Sequence, residues 1–209
     1  MMEINENLII SKDESLASMA KKINANAVKK GFWDGEFDVY EKTNLLHSEV
    51  SELLEEYRLE EPKELYFQEY DVLYKNEGLI NSILDKYKKN DFRLVILNCK
   101  PCGYGIELAD LLIRLLDMVE GLKIDIDYSK IDNTCFDYDI SIQEIISDIH
   151  ECITDVKEEL INQEYYSYLP DLFDNIFSFA KLRGIDLMRM VEIKHKYNLT
   201  RRAKHGKRF

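Results

Sequence analysis

The sequence is poor in residues that interrupt secondary structure: its 209 positions hold only 8 glycines and 3 prolines. Long stretches run without a breaker, which excludes a many-stranded sandwich with a turn every few residues and favours helices. Continuous apolar runs are also missing. Residues 1–20 mix Glu, Asn, Lys and Asp with short apolar pieces, unlike a signal peptide, and no run elsewhere approaches the length of a membrane span. Cysteine is scarce: Cys99, Cys102, Cys135 and Cys152, without an export signal, read as reduced thiols rather than a disulfide framework. Cys99 and Cys102 have no second pair at zinc spacing. These absences predict a cytoplasmic protein with no membrane partner.

Positive charge is the last scarcity. With 28 basic residues against 40 acidic ones and a net charge of −12, a surface for duplex nucleic acid is excluded unless the basic residues are gathered in one place. They are gathered at the C-terminus, where residues 194–209 hold Lys194, Lys196, Arg201, Arg202, Lys204, Lys207 and Arg208 and no acid. Such a segment either forms a solvated tail or meets a compact anion such as a polyphosphate.

What is present is helical periodicity, and the expected fold is an all-α bundle of antiparallel hairpins in a single domain over residues 1–209. Helices are predicted at about 14–30, 38–58, 106–119, 141–163, 169–182 and 186–199, the second because Leu46, Val50, Leu53, Leu54 and Tyr57 fall on one arc. Residues 59–99 change character and read as an insertion, with a helix at 77–89 and a short strand at Arg93-Leu94-Val95-Ile96-Leu97. Residues 100–105 read as a loop, and the basic segment 194–209 as the piece that closes the site. A faint internal repeat lays the stretch from His47 on that from His150, so that Glu49 meets Cys152. It also lays residues 108–126 on 169–187, matching Asp110 with Asp171 and Ile124 with Ile185.

Glu49 and Glu52 are three apart on one predicted helix, with Glu56 a turn further along, and Glu107 and Asp110 repeat that spacing on another. The second helix is apolar almost all round apart from a stripe of Glu107, Asp110, Arg114 and Asp117. That stripe either faces water or turns toward the glutamates of its neighbour. In the second arrangement the converging carboxylates cannot all stay ionised without a cation. All-oxygen ligands suit Mg²⁺ or Mn²⁺, and the lack of a Glu-x-x-His pair counts against a di-iron bundle. Because Mg²⁺ normally shares its shell with phosphates and water, the site asks for a phosphorylated ligand. Trp33, the only tryptophan, is either a base-stacking face or a core residue, and His47 reads as a helix-surface residue.

Four pieces of this chain resemble the all-α nucleotide pyrophosphohydrolases, the MazG-like group that includes dimeric dUTPases and dCTP pyrophosphatases. Gly31-Phe32-Trp33 resembles the group's entry motif, and His47-Ser48-Glu49-Val50-Ser51-Glu52 its Glu-x-x-Glu helix. Lys100-Pro101-Cys102-Gly103-Tyr104-Gly105-Ile106-Glu107-Leu108-Ala109-Asp110 is similar to its Pro-x-Gly and Glu-Leu-Ala-Asp segment. Lys196-Tyr197-Asn198-Leu199-Thr200-Arg201 and His205-Gly206-Lys207 resemble its ending. The pieces stand in the family's order, with two departures: the 59–99 insertion and Cys102 in place of an acidic or polar residue.

The resemblance implies Mg²⁺-dependent cleavage of a nucleoside triphosphate to monophosphate and pyrophosphate. Glu49, Glu52, Glu107 and Asp110 would bind the metal, and Glu49 or Glu52 would take the proton of the attacking water. Lys196 and Arg201 would neutralise the leaving pyrophosphate, and Asn198 would hydrogen-bond the sugar or phosphate. The competing reading is a catalytically silent helical module that binds a protein, against which the four retained acids count. Broad apolar faces predict a homodimer, unless an internal duplication meets the same need within one chain.

Overall fold

The computed structural model of the chain describes residues 5–69, 72–74, 100–131, 140–163 and 166–202. They form six α-helices and a small sheet, as the scarcity of glycine and proline leads one to expect. The helices are α1 (Leu16–Lys29), α2 (Val39–Tyr57), α3 (Tyr104–Gly121), α4 (Ile142–Asn162), α5 (Tyr168–Arg183) and α6 (Leu187–Thr200). The predicted helix at 77–89 and strand at 93–97 lie outside the described residues, as do Cys99, Cys135 and the His205-Gly206-Lys207 motif.

Helix ends follow side-chain chemistry. Ser15, Asp38 and Asp186 cap α1, α2 and α6 by accepting from backbone amides of the first turn, and α4 starts with a reciprocal Ser141–Glu144 capping box. Gly184, at φ 66°, ends α5 in the left-handed conformation that glycine adopts without strain.

Residues 100–105, expected as a loop, instead begin with a strand. β3 (Lys100–Cys102) pairs antiparallel with β1 (Tyr66–Glu69), which also pairs with β2 (Val72–Tyr74), giving the order β2-β1-β3. The segment read as an insertion therefore leaves α2 and rejoins α3 as neighbouring strands. Pro101 is compatible with β3 because, among the described strands, this one is at the sheet's edge.

α3 is the hub. Apart from its polar stripe it is apolar all round, and α1, α2, α5 and α6 all pack on it. Leu108, Leu111, Leu112, Leu115 and Leu116 are fully buried. α2 joins the two halves by packing against both α3 and α4, and α4 packs against α5. Between α2 and α4 the imidazoles of His47 and His150 meet, Nδ1 to Nδ1 at 2.8 Å, so His47 is half-buried at a helix contact rather than a surface residue.

With so much of the fold resting on one helix, trimming its centre costs a cavity shared by several neighbours. Leu111→Ala should lower unfolding free energy by about 2–5 kcal/mol, read from the shift of the urea midpoint at unchanged slope.

Candidate metal centre

The polar stripes of α2 and α3 face each other. Glu49 lies between the buried Leu46, Val50 and Leu53 of α2 and is 3% exposed, and Glu107, in the first turn of α3, is 4% exposed. With Asp110 one turn on, each offers an oxygen, and the three oxygens lie within 4.8 Å of one another. The start of α3 is held by the chain leaving α2: Tyr104 N–H donates to Lys63 O and Gly105 N–H to Glu64 O, both at 3.1 Å. Gly103 makes that approach possible, since at φ 113° a Cβ there would lie 2.6 Å from Lys63 O. The partial positive charge of the helix start favours Glu107 in that turn.

Two cations flank the acids. Arg114, one turn beyond Asp110, makes an ion pair through Nε with Glu49. Lys194, from α6 and almost wholly buried, places Nζ 2.5 Å from Asp110 Oδ2. They do not neutralise the cluster. Burial first, then repulsion from Asp110, raises Glu49 to about 7 against the pull of Arg114. Burial also raises Glu107 to about 7, with Lys194 opposing and Asp110 adding to it. Burial alone would depress Lys194, but attraction from Asp110 and Glu107 outweighs it and the net shift is upward.

This donor set fits a hard divalent cation. Oxygens bound at about 2.1 Å to one Mg²⁺ lie about 3.0 Å apart in neighbouring positions and about 4.2 Å apart in opposite ones, so the three carboxylates would have to draw together to share one ion. With Glu52 included, four negative charges stand against the two of Arg114 and Lys194. The surplus equals the charge of one such ion.

Glu52 stands apart from the other three. It is exposed, a turn beyond Glu49, and accepts from Ser48 Oγ at 3.4 Å, although its charge is felt by Glu49. Glu56 accepts from Tyr66 of β1 at 3.0 Å, which ties the start of the insertion to the acidic stripe.

Beside the carboxylates opens a cleft enclosing about 760 Å³ including its mouth. Asp110, Arg114 and Asp117 line it from α3, Lys42 and Leu45 from α2, Asn26 and Ala27 from α1, and Asn198 from α6, with Phe32 and Arg201 also in its wall. Asn198 and Arg201, two of the residues expected to meet a substrate, thus both line this cleft. Asn198 is 7% exposed, and its buried Oδ1 has no hydrogen-bond partner among the described residues. The α6 wall is fixed from behind: buried Lys30 donates to Leu199 O at 3.1 Å and to Arg201 O, satisfying carbonyls at the helix end. His195, held well below its ordinary value at about 4 by burial, bonds Leu8 O through Nε2 at 2.9 Å.

Two proposed substrate residues are placed differently. Lys196 is paired with Glu192 at 2.5 Å on another face of α6 and does not line the cleft. Trp33 donates from Nε1 to Asp117 Oδ1 at 2.9 Å, where Asn24 Nδ2 also donates at 2.8 Å. Lys42 Nζ lies 4.3 Å from the centre of the Trp33 ring. Its neighbour Phe32, rather than Trp33, is in the cleft wall. Sequence reading missed Lys194 as the counter-ion of Asp110. The signal was available in helical phase, since Lys194 and Lys196 are two apart and project about 200° from each other.

The chain matches no protein-family profile, no curated protein and no solved structure. The family reading therefore rests on the motifs alone.

Because Glu49 and Glu107 lie above the ordinary carboxylate value of 4.5 at about 7, these two groups bind more protons in the ion-free fold than in the unfolded chain between those values. Their contribution to stability is lost as pH rises through that window, while the lowered His47, His150 and His195 act the other way below their ordinary value. In a chelator the melting temperature of the wild type should therefore fall relative to that of Glu107→Gln from about pH 5 to about pH 8, and Mg²⁺ should restore the loss at the upper end. A melting temperature indifferent to all three would contradict the buried cluster. Separately, a Cβ on Gly121 would lie 2.1 Å from the Trp33 ring. Gly121→Ala should therefore displace the sole tryptophan and red-shift its emission, whereas unchanged emission would mean that the ring is not held there.

Proposed function

We propose that the protein is a Mg²⁺-dependent nucleoside triphosphate pyrophosphohydrolase of the MazG-like kind, cleaving its substrate to a nucleoside monophosphate and pyrophosphate. The observation that carries this reading is the convergence of Glu49, Glu107 and Asp110 within 4.8 Å, beside a cleft with an unpartnered buried amide at Asn198. A carboxylate cluster alone would suit many metalloproteins. Its position against a cleft walled by Asn26, Phe32, Lys42, Asn198 and Arg201 suits a ligand with a ring at one end and phosphates at the other.

In this mechanism Glu49, Glu107 and Asp110 would hold the ion, with Mn²⁺ as an alternative occupant. When bound, the ion neutralises triphosphate charge and lowers the pKa of a water. Lys194 keeps Asp110 oriented, and Arg114 does the same for Glu49. Glu52 is assigned the water's proton, because Glu49 is held by Arg114 while Glu52 stands at the solvent edge. The water oxygen attacks the α-phosphorus, the bond from that phosphorus to the bridging oxygen breaks, and the electron pair leaves with pyrophosphate. Arg201, in the cleft wall, offsets the charge that develops there, a role that Lys196 does not share while paired with Glu192. Asn198 Oδ1 accepts from a base or sugar donor, and Phe32 with the apolar floor of Ile23, Ile113 and Met118 receives the base.

The test is pyrophosphate release from a panel of ribo- and deoxynucleoside triphosphates with Mg²⁺. Since even groups that merely orient metal ligands are worth about 10–100-fold, Glu107→Gln and Asp110→Asn should each reduce kcat by more than about 100-fold. Asn198→Ala should act mainly on KM. Failure of the wild type to turn over any nucleotide would end the enzyme reading and favour a protein-binding module.

A further inference from the structure

The two halves of the bundle are built alike. α2 packs on α3, α4 packs on α5, and α2 and α4 join the pairs. The register that lays His47 on His150 lays Glu49 on Cys152 and Ser51 on Thr154. The one that lays Leu108 on Leu169 lays Glu107 on Tyr168, Asp110 on Asp171 and Arg114 on Asn175. Both registers come from the sequence, so side-chain contacts between matched positions are an independent observation.

Three such contacts agree. Around a twofold axis, a residue near the axis meets its own equivalent. His47 and His150 do so, with Nδ1 atoms 2.8 Å apart and ring centres at 5.1 Å. Away from the axis each half should repeat the other's internal contacts. Arg114 pairs with Glu49 in one half, and in the other Asn175 Nδ2 donates to Cys152 Sγ at 3.5 Å. Ser51 Oγ donates to His47 O at 2.9 Å, and Thr154 Oγ1 to His150 O at 3.0 Å.

We infer that the chain is a fused pseudo-dimer with one working centre. The α4–α5 hairpin occupies the place of a second copy of α2–α3, and no second chain completes the site. The second half keeps the scaffold but not the chemistry. A neutral thiol–amide pair stands for the carboxylate–guanidinium pair, and Tyr168, 41% exposed, stands for buried Glu107. The face that α2 would offer a partner is already covered by α4.

This inference does not depend on the pyrophosphohydrolase reading, and its test uses neither metal nor nucleotide. Sedimentation equilibrium of the wild-type chain should give 24.7 kDa across the accessible concentration range, and a species of twice that mass would overturn the proposal. The equivalence of the halves is read in a double-mutant cycle at the second pair. Cys152→Glu and Asn175→Arg should each lower the melting temperature, and the double variant should recover a substantial part of the combined loss. Strictly additive losses would mean that the two positions are not counterparts of Glu49 and Arg114. If those variants fail to fold, the sedimentation result still decides the assembly claim.

Discussion

Carboxylates buried beside one another at the junction of α2 and α3 impose the constraint on which the rest of the structure depends. Desolvation and mutual repulsion both favour protonation, and Glu49 and Glu107 are accordingly raised to about 7. Such a cluster persists only if the scaffold is held together by something other than the acids themselves. α3 supplies that anchorage, with leucines buried on every side except the stripe that carries Glu107, Asp110, Arg114 and Asp117. Apolar burial on one helix holds an electrostatically unfavourable stripe in place, and a bound divalent cation would relieve the repulsion rather than create the fold.

The same constraint accounts for the burial of basic residues in α6. A lysine as buried as Lys194 is unfavourable alone, and a carboxylate as enclosed as Asp110 is unfavourable alone. Together, at 2.5 Å, they are tolerated, and they lock α6 to α3. That lock sets the wall of the cleft, because Asn198 and the Arg201 end of α6 follow within two turns. Lys30 and His195 brace the helix from its other sides. Compensation of charge at the carboxylate cluster and the shape of the adjoining cleft are therefore one packing problem.

How much of this was legible in sequence depended on whether the signal was periodic. The six helices were, because their apolar positions recur at helical spacing, and Glu49, Glu107 and Asp110 stood out as acids at one helical spacing on two helices, which left open whether their faces met. β3 was not, because a three-residue strand with a proline reads as a loop and gains its structure from pairing with β1. Lys194 was hidden for a different reason: a cluster of basic residues looks uniform until helical phase divides it into one that faces Asp110 and one that faces Glu192. Trp33 was ambiguous because an indole serves equally as a stacking face and as a donor. Asp117, available to accept at 2.9 Å, is what distinguishes them here.

The difference between the halves follows from the energetics of buried charge. An isolated buried carboxylate or guanidinium is strongly unfavourable, whereas exchanging a whole buried pair for neutral groups of compatible shape is often neutral or stabilising. A hairpin with no cation to hold loses little by carrying a neutral pair like Cys152 and Asn175 in place of a charged one like Glu49 and Arg114. Its apolar positions would remain constrained, since they still pack against α2 and α3. Isoleucine, leucine and phenylalanine fill the α4–α5 core just as leucine fills α3. The half that carries the acidic cluster is the one against which α1 and α6 pack. Those two helices supply what an acidic cluster in a low-dielectric interior needs: Lys194 as a counter-charge, and Asn26 and Asn198 as polar lining for whatever enters beside it.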